Sequence, residues 1–563
     1  MRIARLAVPL LSLVVLGLTL GLTTATEKQA SFRDADRAFE EALRQPELPS
    51  SNKRQAIMAL ARAASGRDVR PAAEKLMNVL RGRYNVNTSS YETQLNRMLQ
   101  EREQIMTTVR NAGNMITQAQ QARMQELDQQ ILRLQDIVRS NDAIRDAAIQ
   151  ALATMDGEEA RALVVRGITD RDENVQTGCL GVARAQKWDG YWDAVVQALD
   201  RARGKAAVQV MALVTLRAID VNRGFEQFRA ALDSTEDLVR SQAVRCLREV
   251  RRPESIDALI ARLAVEVEGV PRNRGTMRIA YDIVGALWDL TGNQNLGPDP
   301  SAWATWWNTR RSGFQMPAPR PDLRFGDSGG QSEGPTRAFY GLQILTDRPV
   351  FVIDRSGSML SSADVNDPQA DVRGGPLPPP AGKPSKWEAL QRELFKTIGE
   401  LPANSKFAIV WYSTDVSAFQ NGALVDANER NRRAAQQEIM AMQADGLTNI
   451  QEALELAFRI STGENRIGPV VTGGARLLAD TIYFMTDGAP TVGPGLPDAQ
   501  GNLVLPTNGG DNRVYTQLLL EEISRWNETR NITIHAICVG TGDTAFMQAV
   551  AARNNGSYVH VTR

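Results

Sequence analysis

Apolar residues recur at helical spacing over the first half of the chain, from about residue 31 to 310. One pattern places an aliphatic residue, a small residue four positions later and an apolar residue eight positions later on one helix face. It occurs four times, with starts 31, 33 and 31 residues apart: Ile144, Ala148 and Leu152; Val175, Cys179 and Ala183; Val208, Ala212 and Leu216; Val239, Ala243 and Leu247. A second amphipathic segment follows each occurrence. A fixed period of paired helices predicts an all-α solenoid over residues 31–310.

This repeat resembles HEAT repeats, although its period is shorter than is usual for that class. A polar helical insertion at residues 91–138 interrupts it, and its apolar residues step by three and four as in a coiled coil: Met124, Leu127, Ile131, Leu134 and Val138. Gly113-Asn114 could turn the chain into an antiparallel hairpin, and the alternative is one long helix. The insertion is predicted to be either an arm packed on the solenoid or a projecting dimerisation arm, so the oligomeric state stays open.

The second half of the chain has a different pattern. Residues 311–336 are rich in Pro, Gly, Ser and Arg and lack apolar periodicity, which predicts a linker. From residue 337 to 563 strand and helix patterns alternate, and Pro349–Ile353 is the unbroken apolar run of a strand buried on both faces. This alternation predicts a doubly wound α/β domain with a mostly parallel sheet, so the chain as a whole is expected to be multidomain.

Oxygen-bearing side chains follow three of the predicted elements in this α/β domain. Asp354, Ser356 and Ser358 leave the first buried strand within five residues, Thr448 precedes a helix, and Asp487 follows a later strand. Singly, such residues could cap helices or turn the chain. Because ligands of these folds bind at the carboxyl ends of the strands, the five together predict one site. Few carboxylates with neutral hydroxyls suit Mg²⁺, with Mn²⁺ or Ca²⁺ as alternatives.

This arrangement of motifs closely resembles the von Willebrand factor type A family, with its metal-ion-dependent adhesion site. The resemblance covers about residues 337–563 and matches all five motif positions. It implies that the hydroxyls of Ser356, Ser358 and, in some states, Thr448 touch the cation, whereas Asp354 and Asp487 act through water. It also implies that an acidic side chain of a partner protein completes the coordination shell, without a nucleophile or a general base.

One segment, residues 361–385, departs from the family pattern, because many members run almost directly from the first motif into the next helix. It contains Pro376–Pro380 and several glycines and aspartates, and it lies beside the predicted metal edge. Two interpretations stay open. The segment either shapes partner access or is a surface insertion without a role of its own.

The first 25 residues have the pattern of an export signal. Met1–Arg5 carries two arginines, residues 6–22 are almost wholly apolar, and Thr23-Thr24-Ala25 offers a cleavage site. We predict a signal peptide or an N-terminal membrane anchor, and an exported protein of the bacterial periplasm or cell envelope. The three cysteines are widely spaced, so neither a disulfide framework nor a zinc site is indicated, and we expect them to be buried apolar residues.

Composition and motifs narrow the range of possible functions. Lys plus Arg and Asp plus Glu both count 65, which gives no sign of a nucleic-acid partner. The chain has no P-loop and no H-E-x-x-H motif, so no enzymatic activity is predicted. The leading hypothesis is an exported scaffold or adhesion protein that binds a protein ligand through the cation. Two alternatives remain: an accessory subunit of an ATPase or chelatase complex, and a metal site that only braces its loops while the solenoid binds the partner.

Overall fold

The computed structural model describes residues 31–111, 116–269, 277–320, 338–362, 384–464, 477–498, 503–540 and 542–562. Four of the segments discussed above lie wholly or largely outside these ranges: the predicted signal or anchor at residues 1–25, Gly113-Asn114, much of the linker, and most of the 361–385 segment. Within the described ranges, none of the helices is both long enough and apolar enough to cross a membrane.

The N-terminal part of the described chain is helical throughout. Its helices are α1 (Phe32–Leu43), α2 (Ser50–Ala63), α3 (Val69–Leu80), α4 (Ser89–Asn111), α5 (Gln118–Ala153), α6 (Glu158–Ile168), α7 (Glu173–Gln186), α8 (Trp192–Arg201), α9 (Ala206–Asp220), α10 (Phe225–Ala231), α11 (Asp237–Val250), α12 (Pro253–Gly269), α13 (Met277–Thr291) and α14 (Pro300–Arg310). Helices α5, α7, α9 and α11 carry the four recurring triplets, every member of which is at most 2% exposed. Along the repeat, α5 packs against α7, α7 against α9 and α9 against α11, and the short helices α6, α8 and α10 each pack against the helix that follows them, which confirms the predicted helical repeat.

The polar insertion at residues 91–138 is divided between α4 and the first half of α5, which pack against each other. Arg123 of α5 pairs with Glu101 of α4 at 2.7 Å, and further along α5 the Asn141 side chain bonds the backbone of Val86, which lies just before α4, at 2.8 and 2.9 Å. The two helices therefore form an antiparallel hairpin. Its seam residues Leu127, Ile131 and Leu134 are at most 7% exposed.

The C-terminal part is an α/β domain built on one main sheet. Its elements are β1 (Ala338–Phe339), β2 (Leu342–Gln343), β3 (Pro349–Asp354), α15 (Lys386–Glu400), β4 (Lys406–Tyr412), β5 (Val416–Ala418), β6 (Val425–Asp426), α16 (Glu429–Ala441), α17 (Ile450–Thr462), β7 (Thr481–Thr486), β8 (Leu496–Pro497), β9 (Leu503–Val504), α18 (Arg513–Glu528), β10 (Thr533–Val539), α19 (Thr544–Arg553) and β11 (Tyr558–Val561). Strands β11, β10, β7, β3 and β4 are parallel neighbours in that order, and β5 and β6 add to β4 in the antiparallel sense. The predicted multidomain fold, a helical solenoid followed by an α/β domain, is confirmed.

Both faces of the sheet are covered, because successive residues of a strand point to opposite faces. Val350 and Val352 of β3 belong to one core, which includes residues of α17, α18 and α19. Phe351 and Ile353 belong to a second core, which includes residues of α15 and α16. All of β3 is buried, as its unbroken apolar sequence predicts. The strand that ends in the first predicted site residue is thus held rigidly on both sides.

Polar contacts join the helical region to the α/β domain. Arg139 of α5 pairs with Glu455 of α17 at 2.9 Å, and Arg184 of α7 pairs with Glu528 of α18 at 2.5 Å. Gln242 of α11 donates to the Glu528 carbonyl oxygen at 2.8 Å. The solenoid therefore docks on the side of the sheet that α17 and α18 cover, which is opposite to α15.

Candidate metal centre

The two predicted acidic residues emerge side by side at one edge of the sheet. Asp354 is the last residue of β3, and Asp487 directly follows β7. The two strands are parallel neighbours, with Ile353 paired to Met485, so their carboxyl ends lie at the same level. Asp354 is 0% exposed and Asp487 is 5% exposed.

Four of the five predicted residues form a continuous chain of hydrogen bonds. The Ser356 amide donates to Asp354 Oδ1 at 2.7 Å, the Ser356 and Ser358 hydroxyl oxygens are 3.0 Å apart, and the Ser358 hydroxyl donates to Asp487 Oδ1 at 2.7 Å. Adjacent ligands in a magnesium octahedron, each at about 2.1 Å from the ion, are separated by about 3.0 Å. The spacing of the two serine oxygens therefore fits neighbouring positions in such a shell.

Thr448 lies on a third loop at the same edge and is 5% exposed. Its amide donates to the Thr491 hydroxyl at 2.8 Å, and its carbonyl oxygen accepts from the Thr491 amide at 2.9 Å. The Gly357 amide donates to the Gly446 carbonyl oxygen at 3.0 Å, which ties this loop to the first one. Among the described residues, no hydrogen bond joins the Thr448 side chain to the other four predicted residues. Thr448 is brought to their edge by backbone contacts.

Gly446 is a position at which the third loop requires glycine. Its φ is +77°, and a Cβ built there would lie 2.7 Å from the Thr414 hydroxyl oxygen. That hydroxyl accepts a hydrogen bond from the Leu447 amide at 2.9 Å, so it cannot move away without losing this hydrogen bond. The close approach of Thr414 to the loop fixes the backbone just before Thr448.

The electrostatics of the centre favour a cation. Burial of Asp354, with the nearby charge of Asp487, raises the pKa of the Asp354 carboxyl to about 7. Hydrogen bonds from the Ser356 amide and from the Thr486 hydroxyl, which lies 2.7 Å from Asp354 Oδ2, act in the opposite direction. Two buried carboxylates thus repel each other, and a divalent cation between their loops would relieve that repulsion.

Lys386 belongs to the centre, although the sequence pattern did not single it out. Its ammonium Nζ lies 2.9 Å from Asp487 Oδ2, and the lysine side chain is 6% exposed. Lys386 is the first residue of α15, directly after the N-cap Ser385. The helix dipole disfavours a cation in the first turn of a helix, and this is the one local signal that could have drawn attention to it.

The donor set has the chemistry of a site for a hard divalent ion. The described residues contain no group of three or more His, Cys, Asp or Glu that could hold a metal, and the candidate centre relies instead on hydroxyl oxygens beside two acids. Ser356 and Ser358 are the residues that would hold the ion, with Asp354 and Asp487 fixing the hydroxyls and the first loop. Mg²⁺ and Mn²⁺ accept neutral oxygens and retained waters in this way.

The sequence of this domain is similar to known proteins. Residues 350–489 match the model of the von Willebrand factor type A domain, and this stretch contains all five predicted site residues. Human inter-alpha-trypsin inhibitor heavy chain H4 is 28% identical over 164 residues, and human heavy chain H6 is 29% identical over 160 residues. These alignments cover 29% and 28% of this chain, and 15% and 10% of the respective relatives.

Two solved structures are also similar in part. A von Willebrand factor type A protein from Catenulispora acidiphila is 18% identical with a TM-score of 0.24, over 38% of each chain. The pilus adhesin SpaC from Lactobacillus rhamnosus GG is 14% identical with a TM-score of 0.26, over 38% of this chain and 28% of the adhesin. From the family match and the sequence relatives together, residues 350–489 of this chain form a von Willebrand factor type A domain.

Proposed function

We propose that this chain is an exported, non-enzymatic interaction protein that binds a partner protein through a divalent cation at the edge of its type A domain. The observation that carries the proposal is the hydrogen-bonded chain from Asp354 through Ser356 and Ser358 to Asp487. It gathers hard oxygen donors from two loops at the carboxyl edge of a rigid sheet.

The geometry supports a division of labour between the residues. The Ser358 hydroxyl donates to Asp487, so its oxygen accepts the Ser356 proton in the contact between the two serines and has one lone pair left to face a cation. Asp354 accepts from the Ser356 amide and from the Thr486 hydroxyl, which holds the first loop against the end of β7. A bound cation would supply an electrophilic point that accepts an acidic side chain of the partner. Thr448 lies on the neighbouring loop, and its hydroxyl would be a further ligand.

The comparisons support an interaction role at a coarser level. The similar human proteins are named as heavy chains of an inhibitor, and the similarity falls on the type A domain. The proposal that this chain is exported rests on the pattern of residues 1–25. The helical repeat, which docks on the domain through Arg139 and Arg184, would act as the scaffold that presents the metal edge.

A capture experiment with the full-length protein tests this function. The immobilised chain is incubated with envelope proteins in Mg²⁺ and, in parallel, in a chelator. The proposal predicts that the same partner is retained only with Mg²⁺ and that Ser358→Ala abolishes retention, because that hydroxyl is both a cation ligand and the link to Asp487. Ser417→Ala, an exposed serine of β5 in the same domain, is the matched control and should retain the partner.

Two outcomes of this experiment would contradict the proposal. If a partner is captured equally in chelator and by the Ser358→Ala protein, binding belongs to the helical region, and the metal centre only braces its loops. Partition of the mature chain to the cytosol would also contradict the proposal, and would favour an accessory role in an ATPase or chelatase complex instead.

A further inference from the structure

Lys386 carries a buried positive charge at a position where two general effects disfavour a positive charge. It begins α15, where the positive end of the helix dipole repels an ammonium group, and its side chain is 6% exposed, where a charge loses most of its hydration. The compensation comes from Asp487, whose side chain is fully buried and whose Oδ2 lies 2.9 Å from Lys386 Nζ. The pair is therefore part of the metal edge.

The surrounding backbone is shaped around this lysine. A Cβ at Gly540, whose φ is +74°, would lie 2.7 Å from Lys386 Cε and 3.0 Å from Nζ, so a side chain at this position would displace the end of the lysine. The Lys386 amide donates to the Ser361 carbonyl oxygen at 3.0 Å, and Ser362 forms a β-bridge with Ser385. The start of α15 is thus tied to the end of the first site loop, so the ammonium is held in place.

Asp487 divides its two oxygens between different partners. Oδ1 accepts from the Ser358 hydroxyl at 2.7 Å, and Oδ2 accepts from the Lys386 ammonium at 2.9 Å. The carboxylate therefore reaches the centre through the serine hydroxyl, while its charge is offset on the far side by the lysine. Each of these oxygens already accepts one hydrogen bond in the structure.

The charges of the centre can be counted from these contacts. Asp354 and Asp487 contribute two negative charges and Lys386 contributes one positive charge, while Arg355, the neighbour of Asp354 in the chain, is paired with Asp445 at 2.7 Å and adds no net charge. With a divalent cation the centre therefore carries one positive charge, whereas without Lys386 it would be neutral.

Building on the proposed function, we propose that Lys386 is a specificity-determining residue of the centre. Its fixed charge weakens the hold on the cation and in return makes the loaded centre select an anionic carboxylate over a neutral ligand. The same charge that repels the metal attracts the ligand, so removal of the charge must change the two affinities in opposite directions. A residue with only a structural role would weaken both.

The test uses the full-length protein with Mn²⁺ and acetate as probes. Lys386→Gln keeps a donor to Asp487 without the charge, Lys386→Met removes both, and Lys406→Gln, which removes an exposed lysine paired with Asp426, is the control. Paramagnetic resonance gives the affinity for Mn²⁺, and water-proton relaxation of the Mn²⁺-loaded protein gives the affinity for acetate. We expect Mn²⁺ to bind about tenfold more tightly and acetate about tenfold more weakly in Lys386→Gln, with no change in the control.

The outcomes separate this inference from the proposed function. If the parent protein binds Mn²⁺ but Lys386→Gln leaves both affinities unchanged, or lowers both, the role of Lys386 is wrong and the metal centre stands. If the parent protein fails to bind Mn²⁺, both proposals are wrong. Should neither variant fold, the parent protein still gives an answer: acetate must displace metal-bound water at concentrations where neutral acetamide does not, and equal displacement would overturn the inference.

Discussion

Replacement of Asp354 by asparagine is expected to stabilise the metal-free protein at pH 8 while it removes the metal centre. The side chain keeps its shape and its hydrogen bonds can be kept. The asparagine oxygen would accept from the Ser356 amide, and its amide group would donate to the Thr486 hydroxyl. That hydroxyl could then donate to the Gly488 carbonyl oxygen, which already lies 3.2 Å away. What the substitution removes is one negative charge.

The size of the effect follows from the pKa of Asp354. The folded protein holds this carboxyl with a pKa of about 7, raised from 3.8 by burial and by the charge of Asp487. Since the raised pKa favours the protonated form in the folded state, the contribution of this carboxyl to stability is greatest at low pH and is lost as pH rises towards 7. At ~1.36 kcal/mol per pH unit, with the slope halved at the pKa itself, the fall between pH 5 and pH 7 is about 2 kcal/mol, and above pH 7 it levels off. Asp354→Asn should abolish this fall.

The assay is urea unfolding of the full-length protein in chelator at pH 5 and at pH 8. A brief hydrogen-exchange pulse at one common pH reports the unfolding of peptides that cover β3 and β7. Asp426→Asn, at an exposed aspartate of the same domain, is the control and should behave like the parent protein. If Asp354→Asn is no more stable than the parent at pH 8, or if the parent shows no extra loss between pH 5 and pH 8, the account of Asp354 is refuted.

Two further changes test how the third loop and the domain interface are held. Gly446→Ala should destabilise the domain by about 1–3 kcal/mol and weaken Mn²⁺ binding, because the residue has positive φ and faces Thr414. Thermal unfolding measures the stability and a metal titration measures the affinity. Unchanged values would contradict the role of the glycine. Arg139→Gln should raise the hydrogen exchange of α17 severalfold, since it loses its pair with Glu455, whereas Arg133→Gln, exposed on the same helix, should not. Equal exchange in the two arginine variants would show that the solenoid does not restrain α17.

The elements that could be predicted from sequence are those whose buried residues form a long local pattern. The triplets of α5, α7, α9 and α11 repeat at a fixed period, and β3 contains the whole apolar run Pro349–Ile353. Strands β5 and β6 were not predicted. They are two or three residues long and form only because they pair with β4, so no periodic signal exists in their own sequence.

The residues of the candidate site likewise differ in whether the sequence predicts them. Asp354 ends the buried strand β3, Ser356 and Ser358 follow within four residues, and Asp487 directly follows β7, so their meeting at one edge follows from the parallel order of β3 and β7. Lys386 could not be found like this, because its partner Asp487 is 101 residues away and the path between them depends on how α15 docks. The placement of the Thr448 side chain likewise depends on the conformation of its loop, which is set by contacts with other loops.

The most direct test of the central claim is a calorimetric titration of the full-length protein with Mg²⁺ and with Mn²⁺. The Ser356→Ala, Ser358→Ala double variant, which keeps both acids and Lys386, is titrated alongside it. Saturable binding of one ion per chain in the parent protein, and loss of that binding in the double variant, is the predicted result. Binding that persists unchanged without the two hydroxyls, or no binding in the parent protein, would contradict the assignment of the metal centre to this edge of the sheet.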